Sequence, residues 1–202
     1  MNQGYGELRD ARYRVVALDF GVKRNLLGAL AERGAHVTVL PAKSTAAEVL
    51  ALNPDGILLT NGPGDPAPLA YAIETVRELL ESSVPIMGVC IGHLVLALAS
   101  GAQTFRMDVG QHGLNHPVKD LPGNKVLITA QNHSFAVDSG SLPANCRMTH
   151  VALFDGTLQG FERTDRPAFG FQWHPEVMPA EGASGDPYDR FISMMDQTKV
   201  TV

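Results

Sequence analysis

The sequence predicts an α/β fold: a mostly parallel sheet flanked by helices, with a small antiparallel β layer. Two observations carry this reading. Between residues 13 and 100, short apolar runs alternate with segments of helical periodicity, the pattern of βαβ units whose strands are buried on both faces. Charged residues make up only 18% of the chain, against roughly 25% in a typical soluble domain, so much of the chain is buried. A length of 202 residues suffices for one such domain with a sizeable core.

Residues 1–12 are polar, lack a period, and are expected to be a leader or the remnant of a linker, with residues 13–202 forming a single domain. Residues 13–18 are a short apolar, β-rich run. Residues 23–33 follow with Leu26, Leu27 and Leu30 on one helical face and Gly34 as a stop. The cycle then repeats: strands at 37–40, 56–59 and 84–89, and helices at 45–52, 69–80 and 91–100. After Gly101 the character changes to short β-like pieces near 126–129, 147–150, 158–161 and 168–172, separated by Pro, Gly and Asn turns. Residues 187–195 read as a closing helix. There is no internal repeat, and the 20 glycines and 13 prolines have no period, so they mark specified turns rather than a linker.

Composition excludes several functions. A net charge of −5, with acidic and basic residues mixed along the chain, argues against a general nucleic-acid binder. Residues 82–105 hold no charged side chain and are long enough to span a bilayer, but Pro85, Gly88, Gly92 and His93 interrupt them. A buried strand, a turn and a buried helix are expected there instead of a membrane segment. Two cysteines, Cys90 and Cys146, cannot make a disulfide framework, and without a secretory signal the expected setting is the reducing cytoplasm.

Three segments can carry chemistry. Gly88-Val89-Cys90-Ile91-Gly92 lies where a buried strand turns into a buried helix, and matches a nucleophile elbow. The glycines avoid clashes, while the helix start offers N–H groups and a positive dipole end that favour a thiolate. Taken alone, the segment is equally compatible with an inert buried thiol. Gln172-Trp173-His174-Pro175-Glu176 ends an apolar strand; in extended chain His174 and Glu176 share a face, giving a base with an orienting carboxylate. Asn61-Gly62-Pro63-Gly64-Asp65-Pro66 follows a strand, lacks the Gly-Lys-Ser/Thr ending of a phosphate loop, and suits an oxyanion hole. By itself it reads as a plain double turn.

Together these three segments resemble the class I glutamine amidotransferases. Further strings are similar to the glutaminase half of the carbamoyl phosphate synthetase small subunit: residues 18–25 (LDFGVKRN), 97–102 (ALASGA), 115–120 (NHPVKD), 129–133 (TAQNH) and 153–160 (LFDGTLQG). The resemblance runs from about Tyr13 to Met195. It implies a flavodoxin-like amidotransferase fold, no cofactor, no metal, and hydrolysis of L-glutamine to glutamate and ammonia through a cysteine thioester. Carried over, Cys90 is the nucleophile, His174 the base and Glu176 its orienting partner. Backbone N–H groups of Gly64 and Ile91 meet the oxyanion, and Gly62, Asn132, Ser134 and Phe135 hold the backbone end of glutamine. Leu94 stands where relatives carry a substrate-contacting glutamine, while Ser134 and Trp173 stand where the nearest relatives carry glycine.

The implied small-molecule partner is therefore glutamine or another acyl compound. The implied macromolecular partner is a synthetase large subunit, which in the family mates with an additional N-terminal domain; here about a dozen residues precede the first strand. Because a triad with an oxyanion hole serves acyl transfer in general, Leu94, Ser134 and Trp173 leave open a hydrolase for less polar substrates (an esterase, thioesterase or amidase), and behind it a non-catalytic regulatory domain. Of the remaining candidates, His112 and His116 are spaced for a zinc site, yet Gly113, Leu114, Asn115 and Pro117 around them favour a loop. His93 and His133 are expected to line the pocket or satisfy local backbone, and Cys146 to be buried and inert.

Overall fold

The computed structural model describes residues 11–177 and 186–200, with the side chain of Val200 excepted. Residues 1–10, on which most of the expected leader falls, lie outside the described residues. The chain runs through β1 (Tyr13–Asp19), α1 (Arg24–Ala31), β2 (Ala35–Pro41), α2 (Ala46–Ala51), β3 (Gly56–Leu59), α3 (Ala70–Leu79), β4 (Ile86–Val89) and α4 (Ile91–Ala99). It continues with β5 (Thr104–Asp120), β6 (Lys125–Val137), β7 (Cys146–Ala152), β8 (Leu158–Arg163), β9 (Ala168–Phe171) and α5 (Pro187–Val200). Helix ends follow local chemistry. Thr45 caps α2 in a reciprocal box with Glu48, and Gly34, at φ 82°, occupies the left-handed position that ends the α1 turn.

The nine strands among the described residues join one sheet in the order β2-β1-β3-β4-β9-β8-β6-β5-β7. From β2 to β9 the neighbours are parallel. From β9 to β7 they are antiparallel. The α/β class is therefore as expected, but the sheet is mixed rather than mostly parallel, and its antiparallel part is no small layer. The excess comes from β5 and β6, 17 and 13 residues long, which pair along most of their length. Gly113, Leu114, Asn115 and Pro117 read as loop residues in sequence; in the structure a register shift between Gly113 and His116 absorbs Leu114 and Asn115 within the strand, a second shift lies between Arg106 and Gln111, and Pro117 pairs in register with Ile128.

Two apolar clusters cover the two faces. Along β1, Val16 and Leu18 join one with Ile57, Leu59, Val76 and Val95, while Val15 and Ala17 join the other with Leu26, Leu30, Met87 and Phe191. Helix α4 is buried almost all round, which accounts for the uncharged stretch at 82–105. No helix among the described residues is long and apolar enough to cross a membrane. On the opposite face α5 lies so close to β3 that a Cβ on Gly56 would meet Phe191 and Met195 at 2.6 Å.

Candidate active site

Strand β4 ends at Val89, and Cys90 then adopts φ 54° and ψ −109° before α4 begins. A left-handed conformation at a non-glycine residue costs about 1–3 kcal/mol and persists only where neighbours enforce it. They do so here through the hydrogen bond from Cys90 N to Phe171 O (2.8 Å) and through two glycines. A Cβ on Gly88 would sit 2.7 Å from Gly92 O, and one on Gly92 would sit 2.2 Å from Leu59 O, so neither position holds a side chain. The thiol is nearly buried and points toward Gly62 O at 3.9 Å.

His174 follows β9, and its backbone N–H donates to Ala130 O on β6 (2.9 Å). Its Nδ1 lies 2.8 Å from Glu176 Oε1. The pairing was expected, but not the way it forms: β9 stops at Phe171, and a turn closed by Val177 N to His174 O (3.2 Å) folds the carboxylate back onto the ring. Pro175 thus sits in the turn that makes the contact. Burial lowers the basicity of His174, but the Cys90 thiol and Glu176 raise it by more, so that its pKa is pushed up to about 9. Cys90 acts on the ring through both hydrogen bonding and charge, although Nε2 is buried without a hydrogen bond of ideal geometry. Glu176 Oε1 also lies 3.6 Å from Lys23 Nζ, which balances its charge.

The loop after β3 carries Gly62 and Gly64. A Cβ on Gly62 would fall 2.0 Å from Phe20 O, and Gly64 takes φ 98°. Asn61 ties this loop to the one after β1, accepting from Lys23 N (3.2 Å) and donating to Gly21 O (3.3 Å). The N–H groups of Gly64 and Ile91 have no hydrogen-bond acceptor among the described residues, and Ile91 is the first residue of α4.

A pocket of about 390 Å³ brings these parts together. It is lined by Cys90, His174, Gly62, Gly64, Ile91, Leu94, Asn132, Ser134 and Phe135, all expected from sequence; Glu176 lies behind His174. Lys23 and His112 also line it and were not foreseen as site residues. His112 is on strand β5, not in a loop, and faces Asn132 across the β5–β6 ladder, whereas His116 packs its ring against Phe154. No metal-binding cluster exists among the described residues.

His133 lines the pocket, donates from Nδ1–H to Phe135 O (2.9 Å), and is held neutral by burial, its pKa pushed down to about 4. His93 does not line it; the ring is fully buried under Gly170 and against Phe161, with its pKa pushed down to about 3. Trp173 stacks inward on Phe171 and His150, away from the cavity lining. Cys146 is half-buried at the start of β7, where burial raises its thiol pKa.

The family model for Glutamine amidotransferase class-I matches residues 16–194. Among curated proteins, the chain is 58% identical over 197 residues to a carbamoyl phosphate synthase small chain of Rubrivivax gelatinosus, covering 98% of this chain and 51% of the relative. It is 59% identical to the small chain of Photorhabdus laumondii (94% of this chain, 49% of the relative) and 56% identical to that of Escherichia coli (94% and 50%). The chain spans about half the length of the curated relatives it matches. A solved GMP synthase-type protein from Thermoplasma acidophilum superposes with TM-score 0.79 at 21% identity, covering 94% of this chain and 96% of the other. A glutamine amidotransferase from Thermotoga maritima gives 0.65 at 20% identity (93% and 92%); both likenesses concern the fold alone.

Proposed function

The chain belongs to the class I glutamine amidotransferase family, and from that premise we propose that it hydrolyses L-glutamine to glutamate and ammonia through a thioester on Cys90. The observation that carries the reading is the convergence, in one pocket, of a strained elbow cysteine, a carboxylate-backed histidine and two unengaged backbone N–H groups.

The geometry supplies a role for each group. With its basicity raised, His174 takes the thiol proton, and the thiolate attacks the carboxamide carbon. The N–H groups of Gly64 and Ile91 receive the oxyanion, with the positive end of α4 behind them. As the tetrahedral adduct collapses, the imidazolium returns its proton to the departing amine, ammonia leaves and the γ-glutamyl thioester remains. His174 then deprotonates the water that cleaves it. Glu176 holds the ring orientation throughout. Leu94 and Ile91 pack against the methylenes of the substrate, while Gly62, Asn132, Ser134 and Phe135 face its backbone end.

One further reading rests on the relatives and two on the sequence. Ammonia made here would be used by a synthetase large subunit, since the matched curated proteins are small chains of a carbamoyl phosphate synthase. The setting is the cytoplasm, where the thiol stays reduced, and residues 13–202 act as one unit.

The test is glutamate release from glutamine by this chain, by Cys90→Ala and by His174→Ala, beside cleavage of a small activated ester. Glutamine turnover that falls by at least a thousandfold in both variants is expected. Ester cleavage that depends on Cys90 without any glutamine turnover overturns the reading in favour of a hydrolase of less polar substrates.

A further inference from the structure

The pocket has two unlike walls. Leu94 and Ile91 on α4, with Pro63, make one side apolar. The opposite side, from the β5–β6 pair, presents His112, Asn132 and Ser134. His112 and Asn132 are direct cross-strand partners, and His112 Nδ1 lies 2.8 Å from Asn132 Oδ1. The ring is seated over Gly110: a Cβ there would come within 2.5 Å of His112 Nε2 and 2.8 Å of Ser134 Oγ. A side chain at Gly110 would press on the imidazole, on the Ser134 hydroxyl and on the His133 carbonyl at once.

A primary amide can present either its oxygen or its NH₂ to a ligand, and a free Asn side chain samples both. An Nδ1–H from His112 to Oδ1 removes that freedom, because the oxygen is then occupied and Nδ2 is left for the cavity. Among the described residues neither Asn132 Nδ2 nor Ser134 Oγ has a protein partner, so both remain available to a ligand. Both can donate. Two donors side by side on one wall suit a carboxylate, whose oxygens only accept.

We propose that His112 is a positioning residue that fixes the Asn132 amide with its NH₂ toward the pocket, where Asn132 and Ser134 together take the α-carboxylate of the substrate. The inference rests on the glutaminase reading above and deepens it: the chemistry comes from Cys90 and His174, and discrimination for an amino-acid amide comes from the β5–β6 wall. His112 touches no reacting atom. Its loss therefore weakens binding of the carboxylate and leaves the chemical step alone.

The experiment measures KM and kcat for glutamine in wild type, His112→Ala, His112→Gln, Asn132→Ala and the double variant His112→Ala/Asn132→Ala. 4-Aminobutanamide, which is glutamine without its α-carboxylate, is measured as a competing ligand. Expected are a KM raised about tenfold in His112→Ala with kcat within about twofold, and recovery to within about threefold in His112→Gln, whose side-chain amide can donate to the same oxygen. Inhibition by 4-aminobutanamide should be the same in wild type and His112→Ala, and the histidine change should add nothing once Asn132 is alanine. An unchanged KM, an equal loss of affinity for 4-aminobutanamide, or additive effects in the double variant overturns the positioning role while glutamine hydrolysis stands. A wild type that does not hydrolyse glutamine overturns both.

Discussion

Acidification from pH 7.5 to 5 should remove about 4–5 kcal/mol of folding stability, because three imidazoles are buried in the neutral form. Burial pushes His93 down to about 3, and His133 and His150 to about 4. An unfolded histidine titrates near 6.5. Below that pH the unfolded chain binds protons that the native state refuses, and each such group costs about 1.4 kcal/mol per pH unit until its native pKa is reached. By pH 5 each has lost about 2 kcal/mol. His174 runs the other way. Its native pKa, raised to about 9, gives stability that is complete below 6.5 and lost as pH rises through 9, so acidification returns about 1 kcal/mol. The lowered carboxylates Asp155, Glu162 and Asp165 lose their share mainly below pH 5 and barely enter the window. Urea unfolding followed by Trp173, the single tryptophan, at the two pH values gives the difference directly. In His93→Leu, which replaces a ring without hydrogen-bond partners on either nitrogen, the pH-dependent part should shrink by about 2 kcal/mol. Equal stability at both pH values, or a pH dependence untouched by that substitution, refutes the reasoning.

Three other outcomes follow from the same geometry. The high-pH limb of kcat/KM should fall near pH 9, where His174 gives up the proton it owes the leaving amine; Glu176→Gln, by removing one of the two groups that hold this proton, should move the limb to lower pH, and an unmoved limb contradicts the pairing. Gly92→Ala places a Cβ 2.2 Å from Leu59 O and 2.6 Å from Leu59 C, where only backbone can give way, so a stability loss of about 3 kcal/mol or more and slower alkylation of Cys90 by iodoacetamide are expected. Leu94→Gln exchanges a buried apolar contact for a donor in the pocket; about 1–3 kcal/mol of stability should be lost in urea unfolding while KM for glutamine falls several-fold, and a KM that rises instead would show that the apolar wall is itself the better fit.

The parallel half was legible because each signal is local. Leu26, Leu27 and Leu30 all lie within eight residues of Gly34, and Thr45 and Glu48 are three residues apart. The elbow was legible for the same reason, since the conformation of Cys90 is written into Gly88 and Gly92 on either side. The length of β5 was not. Its glycines and Pro117 satisfy every local criterion for a loop, and what makes them strand is pairing with β6 residues up to 33 positions away, from Thr104 to Val137. His112 was lost with it: its partner Asn132 is 20 residues on, and the shared register depends on irregularities that no periodicity shows. The contact of His174 with Glu176 was anticipated from strand alternation yet is made by a turn, so the right pair came from the wrong geometry.

The placement of β9 explains why the site divides as it does. This strand is parallel to β4 and antiparallel to β8, so it belongs to both halves of the sheet. Register sets Val89 beside Phe171, and the chain leaving each strand delivers Cys90 and His174 to the same sheet edge, as ligand sites at the carboxyl ends of parallel strands require. The reacting groups thus depend on short buried strands that tolerate little change, with glycines whose Cβ positions are already filled by backbone. The wall that meets the far end of a ligand belongs instead to β5 and β6, a long pair with half-exposed side chains and irregular register. Substitutions at Ser134 or His112 can therefore alter which acyl compound is held without disturbing the elbow. Leu94 is the exception, because it sits on α4 between the two parts, and a change there touches the core, the pocket and the helix that follows the nucleophile at once.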